Sequence, residues 1–560
     1  MKLAWLRTGA ALAILLSWPQ ARPEAQMCTP DLVIVNANVH TVDRDKPAAR
    51  AVAVCGERIA RVGSDDEVRR LAGAKTRIID AGGHLLVPGF NDAHVHLIAG
   101  ANELVGVDLR PAKSEQAFAR ALGEYAARLR KGRWILGGYW DHEAWPGRRL
   151  PTHALVDAVT PDHPVFVQRL DGHMGVANAL AMKLAGVTRD TASPDGGTIV
   201  RDPNGEPTGV FKDNAMALVT RVVPPDALDE TIEKARAALA HAASLGVTTI
   251  QDMTASAAEL QAYQALRDRG ALTARIYSIQ NHGIDGLTAA GVRTGFGDDW
   301  LRIGGIKLFA DGSMGSGTAA FFEPYTDDPK TSGLLLQSPA ALEKAIFDAD
   351  AAGFQVIVHA IGDRANAIVL DAVEKLRRER GPRDRRARIE HAQVVRDADK
   401  PRFHALDVIA SIQPSHCIDD MRWAEQRIGP DRVKMAYDFK SFADAGARIA
   451  FGTDWYVEPL NPMLGLYAAV TRQFPDGTPP GGWFPEERLS MAEAIEYYTL
   501  GSAYAEFAET RKGSIAEGKL ADLVLLSNDL FTIPPREILK TRPVLTIAGG
   551  RIVFEARANP

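Results

Sequence analysis

Eight short apolar segments, several rich in β-branched residues, recur between residues 87 and 455, and most are separated by a stretch long enough for one helix. They are VPGFNDAHVH, VTTIQDM, TARIYSIQ, IGGIKLFADGS, FQVIVHAIG, RARIEHAQ, VIASIQPSH and ARIAFGTDW. The segments between them, such as LDETIEKARAALAHAASLG and RANAIVLDAVEKLRRERG, carry apolar residues at helical spacing and stop at glycine. Strand and helix alternating in this way predict an α/β fold, a (β/α)8 TIM-like barrel.

The two ends of the chain have a different texture. DLVIVNANVHTVD, AVAVCGERIARVG and TRIIDAGGHLLVPG near the start, and GSIAEGKLADLVLLSND and PVLTIAGGRIVFEA near the finish, read as short strands broken at Gly or Asp. Neither block is large enough to bury a core alone. They are expected to pair into one small β-sandwich, from residues 26–86 and 511–560, flanking a barrel over 87–510. Residues 100–227 are too long for one strand-to-helix connection and hold a helix (SEQAFARALGEYAARLRKG) and strand-like pieces (RWILGGYW, PVFVQRLDGH). They are expected to form an insertion after the first strand, over the barrel mouth.

Residues 1–25 read as a signal peptide: Lys2 and Arg7, an apolar run from Gly9 to Trp18, then Pro19 and the small residues Ala21 and Ala25. An exported protein, periplasmic or secreted, is the expectation. No later segment reaches 18 uninterrupted apolar residues, so stable membrane insertion after signal removal is not expected. A chain that is 46% hydrophobic and 24% charged is globular rather than fibrous or disordered, and a net charge of −5 argues against a nucleic-acid partner. The basic run RRERGPRDRRAR reads as a solvated helix end and loop. Cys28, Cys55 and Cys417 are too few for a disulfide framework and form no C-x-x-C pair, which excludes cysteine-clustered zinc sites and thioredoxin chemistry. Oligomeric state leaves no readable trace.

Working residues of such barrels sit at the C-terminal ends of the strands. Those ends carry His94 and His96, Lys307, His359, His391 and Asp454. Alternate residues of a strand face the same way, so His94 and His96 can chelate one ion. Each histidine alone is more often a core or surface residue; their recurrence at one end of successive strands turns the reading to a divalent-metal site. Asp454 caps the loop after the last strand or, beside a metal, ligates the ion and takes a proton from bound water. Lys307 is either a buried ion-pair partner or a desolvated lysine able to carry a carbamate.

The stretches VPGFNDAHVH (87–96), LDGHMGVANALAM (170–182), GVTTIQDM (246–253), IKLFADGSMGSGTA (306–319), VHAIGDRAN (358–366), RIEHAQ (388–393), FGTDW (451–455) and GSIAEGKLADLVLL (513–526) resemble the amidohydrolase superfamily. The likeness is to its amidohydrolase-3 group of N-substituted formamide deformylase-like and YtcJ-like proteins, over nearly the whole mature chain. The resemblance implies that His94, His96, His359, His391 and Asp454 are metal ligands, and that Lys307 corresponds to the lysine some members carbamylate to bridge two ions. The expected cofactor is a divalent metal, one or two per chain, with zinc the default and manganese, iron or nickel fitting the same donors. The expected reaction is attack of metal-bound hydroxide on the carbonyl of an amide-like small molecule, an N-substituted formamide or N-acyl compound, with Asp454 passing the proton to the leaving nitrogen. The same site suits ester or lactone hydrolysis or deamination; a non-catalytic metal or small-molecule binding protein is the reading from another class.

Softer features complete the list. His173, in Asp171-Gly172-His173, either reaches over the mouth to a substrate carbonyl or is a structural residue of the insertion. GSMGSG (312–317) lacks the Lys-Ser/Thr of a phosphate cradle and reads as a tight loop beside the metal site. Trp140, Trp145 and Trp455 read as core more readily than as pocket wall.

Overall fold

The computed structural model describes residues 28–281 and 284–557, so the segment read as a signal peptide lies outside the described residues. The eight apolar segments form strands β1 (Phe90–Val95), β2 (Val247–Thr254), β3 (Arg275–Gln280), β4 (Leu301–Phe309), β5 (Val356–Ala360), β6 (Arg388–His391), β7 (Ile409–Ile412) and β8 (Arg448–Phe451). They lie in one sheet in chain order, and every neighbouring pair is parallel. The sheet closes between its first and last strands: Asp454 N–H donates to the His94 carbonyl and His96 N–H to the Trp455 carbonyl, both at 2.7 Å. Gly452 permits this closure, because a Cβ there would lie 2.6 Å from the His94 nitrogen.

Helices cover the outside, placed by ordinary signals. Helix Pro339–Ala351 starts where Ser338 accepts from Ala341 N–H, with proline in its first turn, and buries Leu342, Ile346 and Ala349. Helix Leu228–Ser244 buries Ile232, Ala235, Ala238, Leu239 and Ala242, one face at helical spacing. These faces and the outer faces of the strands, including Phe90, Val247, Ile250 and Ile276, share one large core.

The chain ends make a second, two-layered unit. Strands Arg58–Gly63, Ala51–Cys55, Leu32–Val35 and Arg77–Asp80 form one sheet in that order. The other interleaves the ends: Leu523–Leu526 pairs antiparallel with Leu85–Pro88 on one side and with Pro543–Ala548 on the other. Ile34, Val52, Leu86, Leu523 and Ile547 fill the space between the layers. The sandwich is clamped to the barrel floor by Arg275, whose guanidinium meets the buried Asp522 carboxylate at 2.8 and 3.0 Å.

Between β1 and β2 the chain builds a six-stranded sheet from Val107–Asp108 to Pro207–Asp213, with its own core around Phe118, Trp140, Trp145 and Val167. Trp140 and Trp145 are therefore core residues of this insertion, and Trp455 is buried with its indole N–H on Glu103 at 2.7 Å.

Two expectations change. Cys28 and Cys55 pair as a disulfide, leaving Cys417 buried and free; three cysteines make no framework, but one bridge needs only two. The basic run is not a solvated loop throughout. Arg383 and Arg385 converge on the buried Asp350, Arg386 pairs with Glu509, and Arg388 is the first residue of β6 with its side chain inside the barrel. Acidic partners placed Arg383, Arg385 and Arg386, and strand alternation placed Arg388.

Candidate metal centre

The C-terminal mouth of the barrel encloses a cavity of about 200 Å³ lined by His94, His96, Lys307, His359, His391 and Asp454 together with Asp171 and His173 of the insertion. Asp454 is the hub. Its Oδ1 lies 3.4 Å from His94 Nε2 and 3.3 Å from His96 Nε2, and its Oδ2 lies 3.9 Å from His391 Nδ1. Lys307 Nζ reaches His94 Nε2 at 3.1 Å. His359 joins by its ring, 4.6 Å from that of His391, while its Nε2 meets the Gly312 carbonyl at 3.0 Å. His173 descends from the turn after strand Val165–Arg169 and brings its ring 4.8 Å from that of His359.

Backbone geometry aims two of these groups. Arg388 and Glu390 of β6 face the barrel interior, so His391 would point away by simple alternation. A left-handed backbone at His391, φ 74°, turns it to the mouth, and Asp454 has φ 59° just beyond β8. Non-glycine residues rarely adopt this conformation, and strain of this kind collects at functional sites.

The surroundings hold the donors as lone-pair ligands. Burial pushes His94, His359 and His391 well below the ordinary imidazole value, so they are neutral, the form that ligates a metal. Burial also lowers the Lys307 ammonium to about 8, against the pull of Glu390 and Asp454. Glu390 Oε2 sits 2.5 Å from His94 Nδ1, fixing the tautomer that presents Nε2 to the cavity. Gln413 does the same for His391, with Oε1 2.7 Å from Nδ1. Asp213 accepts from His173 Nδ1 at 2.7 Å and raises its pKa although burial works to lower it.

A divalent cation fits this donor set. Asp454 Oδ1 is buried with no hydrogen-bond partner among the described residues. It lies 3.4 Å from His94 Nε2, which the Glu390 contact at Nδ1 leaves as an acceptor, and two facing acceptors of this kind are satisfied by a metal. His94, His391 and Asp454 bring one ligand atom each within 4.8 Å of one another.

Sequence reasoning overlooked several neighbours. Glu390 stands inside RIEHAQ and could have been found from its alternation with Arg388; it accepts from Arg388 Nε at 2.8 Å and from Ser411 Oγ at 2.8 Å. His416 follows β7 on helix Pro414–Asp420, and its Nε2 is 3.9 Å from Asp454 Oδ2. Asp171, next to His173, joins Arg169 at 2.6 Å and the loop hydroxyls Ser313 at 2.5 Å and Ser316 at 2.8 Å. That ties the GSMGSG loop to the insertion across the mouth. No local signal announces Asp213, which lies 40 residues from its partner His173.

The chain is similar to known proteins over most of its length. The chain is 36% identical over 543 residues to Protein LONG AFTER FAR-RED 3 of Arabidopsis thaliana, covering 94% of this chain and 91% of that protein. It is 28% identical to the N-substituted formamide deformylase of Arthrobacter pascens, covering 94% and 98%. An uncharacterized metal-dependent hydrolase from Pyrococcus horikoshii OT3 superposes with a TM-score of 0.74 at 29% identity, covering 90% of this chain and 99% of that one. Residues 77–554 match the amidohydrolase family as a whole, and with barrel, sandwich and histidine–aspartate mouth in place, the chain belongs to that family.

Proposed function

We propose that this protein is a metal-dependent hydrolase that cleaves a carbon–nitrogen bond of an amide-like small molecule. The observation that carries the reading is the unpartnered, buried Asp454 Oδ1 between the His94 and His96 imidazoles at the mouth of the barrel. His94, His96, His391 and Asp454 would hold a divalent ion, zinc by default, with His359 and Lys307 completing a second position if the lysine is carbamylated. Such an ion, when bound, supplies an activated water and polarises a carbonyl.

The chain's own groups do the rest. Glu390 and Gln413 keep His94 and His391 oriented, so the donors need no rearrangement. Asp454 is the group placed to accept a proton on a carboxylate oxygen and return it to a leaving nitrogen. His173, held at Nδ1 by Asp213, offers its Nε2 to a substrate oxygen from the insertion side. Arg169, Asp171, Ser313 and Ser316 hold the loop over the cavity and limit bulk water. The similarity to a formamide deformylase supports an N-substituted formamide or N-acyl substrate over an ester or an amidine. We infer export from the leader-like N-terminus, and the Cys28–Cys55 disulfide supports an oxidising compartment.

Elemental mass spectrometry of the purified protein, prepared with bicarbonate, tests the metal. Near two ions per chain, falling in Lys307→Ala, supports a lysine-bridged pair; one ion in both makes Lys307 a structural or substrate residue. A folded protein that takes up no metal overturns the reading. Parallel panels of formamides, esters and amidines test the bond, and turnover confined to esters would overturn the amide assignment.

A further inference from the structure

The cavity holds one acid that the chemistry above does not use. Glu458 lies four residues beyond Asp454 on the loop after β8 and is 8% exposed. It lines the metal-site cavity and, with Leu170, a second cavity beside it. Among the described residues its carboxyl has neither a hydrogen bond nor an ion pair. The nearby cations are engaged elsewhere. Arg110 donates to the Tyr456 and Val457 carbonyls and to Glu103, which fixes the loop that carries Glu458. Arg422 is taken by Asp141 and Asp419.

The residue is largely buried, yet its carboxyl has no protein partner among the described residues and borders the cavity, so a ligand there can pair with it. The local charge says which kind. Arg169, the cation on this wall, is balanced by Asp171 and Asp141 at 2.6 and 3.0 Å. Asp420 lines the same cavity; burial lifts it to about 7, with Asp419 adding to the rise. Burial, Asp419 and Asp420 likewise push Glu458 well above the ordinary carboxyl value. A cation beside Glu458 would pair with it and offset the charge of Asp420, whose Oδ2 already accepts from Gln393 Nε2 and the Tyr437 hydroxyl. Trp423 and Tyr456 line the cavity as well, aromatic surfaces beside which an ammonium is well placed.

We propose that Glu458, with Asp420 and the aromatic wall of Trp423 and Tyr456, is a recognition corner for a protonated amine, so that the substrate or its released fragment carries a primary ammonium group. The assignment rests on the hydrolase reading in taking this cavity as the substrate site. Its test is a binding measurement, so the two can fail separately.

Titration calorimetry of the metal-loaded protein near neutral pH would compare benzylammonium with benzyl alcohol, a probe of the same size without the charge. The corner predicts tighter ammonium binding by about tenfold or more, the scale of a charge-assisted hydrogen bond. Glu458→Gln, nearly isosteric, should remove most of that preference and leave alcohol binding and metal content unchanged. Should Glu458→Gln fold poorly, Asp420→Asn is the second variant and should weaken the preference in the same direction. Equal binding of the probes, no ammonium binding, or a preference that survives Glu458→Gln overturns the proposal. Amide turnover without ammonium preference would remove the corner and leave the hydrolase standing; ammonium preference without amide turnover would do the reverse.

Discussion

The barrel buries two polar assemblies, one at its floor and one at its mouth, and they differ in how completely they are satisfied. At the floor, Glu506 accepts from Asn91 at 2.8 Å, Lys512 at 2.7 Å and Arg302 at 2.5 Å. Gln251 spans from Asn91 to Arg388, which in turn holds Glu390. None of these side chains has a buried atom without a partner. At the mouth, Asp454 Oδ1 and His416 Nε2 are buried and unpartnered. A complete network specifies a fold, whereas an incomplete one marks where something else must bind. Glu390 joins the two, touching Arg388 on one side and His94 on the other.

The contrast predicts that mutations at the two ends fail in different ways. The largest effect expected is at the mouth: Asp454→Asn should lower turnover by about 10²–10⁴-fold, the usual worth of a general acid–base. Its metal-free form should be no less stable than the parent. At the floor, Glu506→Ala should cost about 3–5 kcal/mol of stability, because Arg302 and Lys512 are left buried and unpaired. Denaturant midpoints of the metal-free proteins check both, and equal destabilisation by the two variants would break the comparison.

The joining residue sharpens it. Glu390→Gln should keep the fold and weaken metal affinity by about 10–100-fold, as loss of a histidine's outer partner does. Competition with a chelator reads this without any substrate. The smallest effect lies at the clamp beneath the floor. Burial opposes ionisation of Asp522, but Arg275, with Lys512 and the Gly549 N–H, outweighs it and holds the carboxyl below its ordinary 3.8. A carboxyl depressed by folding stabilises fully above its unfolded pKa and loses that contribution as pH falls through the folded one. Acid titration from about pH 5 downward should therefore destabilise the wild type more steeply than Asp522→Asn. Parallel slopes would remove the clamp from the account.

Much of this was legible in one dimension. The eight strands follow from apolar runs at regular intervals, and the pairing of the two chain ends from the smallness of each block. His94, Lys307, His391 and Asp454 were found as strand-end residues, a positional rule that needs no coordinates. The rule said less about orientation: His359 turns its Nε2 to the Gly312 carbonyl, and His391 depends on a left-handed backbone that no spacing reveals. His416 and Glu390 were in view but looked like ordinary residues of a helix start and a strand. Arg388 looks in sequence like one more member of a basic run, although it belongs inside the barrel.

The sequence by itself determined the strand–helix alternation and which strand ends carry imidazole and carboxylate, because hydrophobic period and residue chemistry are local. Only the tertiary structure decided which polar atoms are satisfied. Asp213 finds His173 across the insertion, Glu506 gathers three partners from distant segments, and Asp454 Oδ1 and His416 Nε2 are left unmatched. Whether a buried group has a partner depends on contacts between residues far apart in the chain, and no local pattern encodes them.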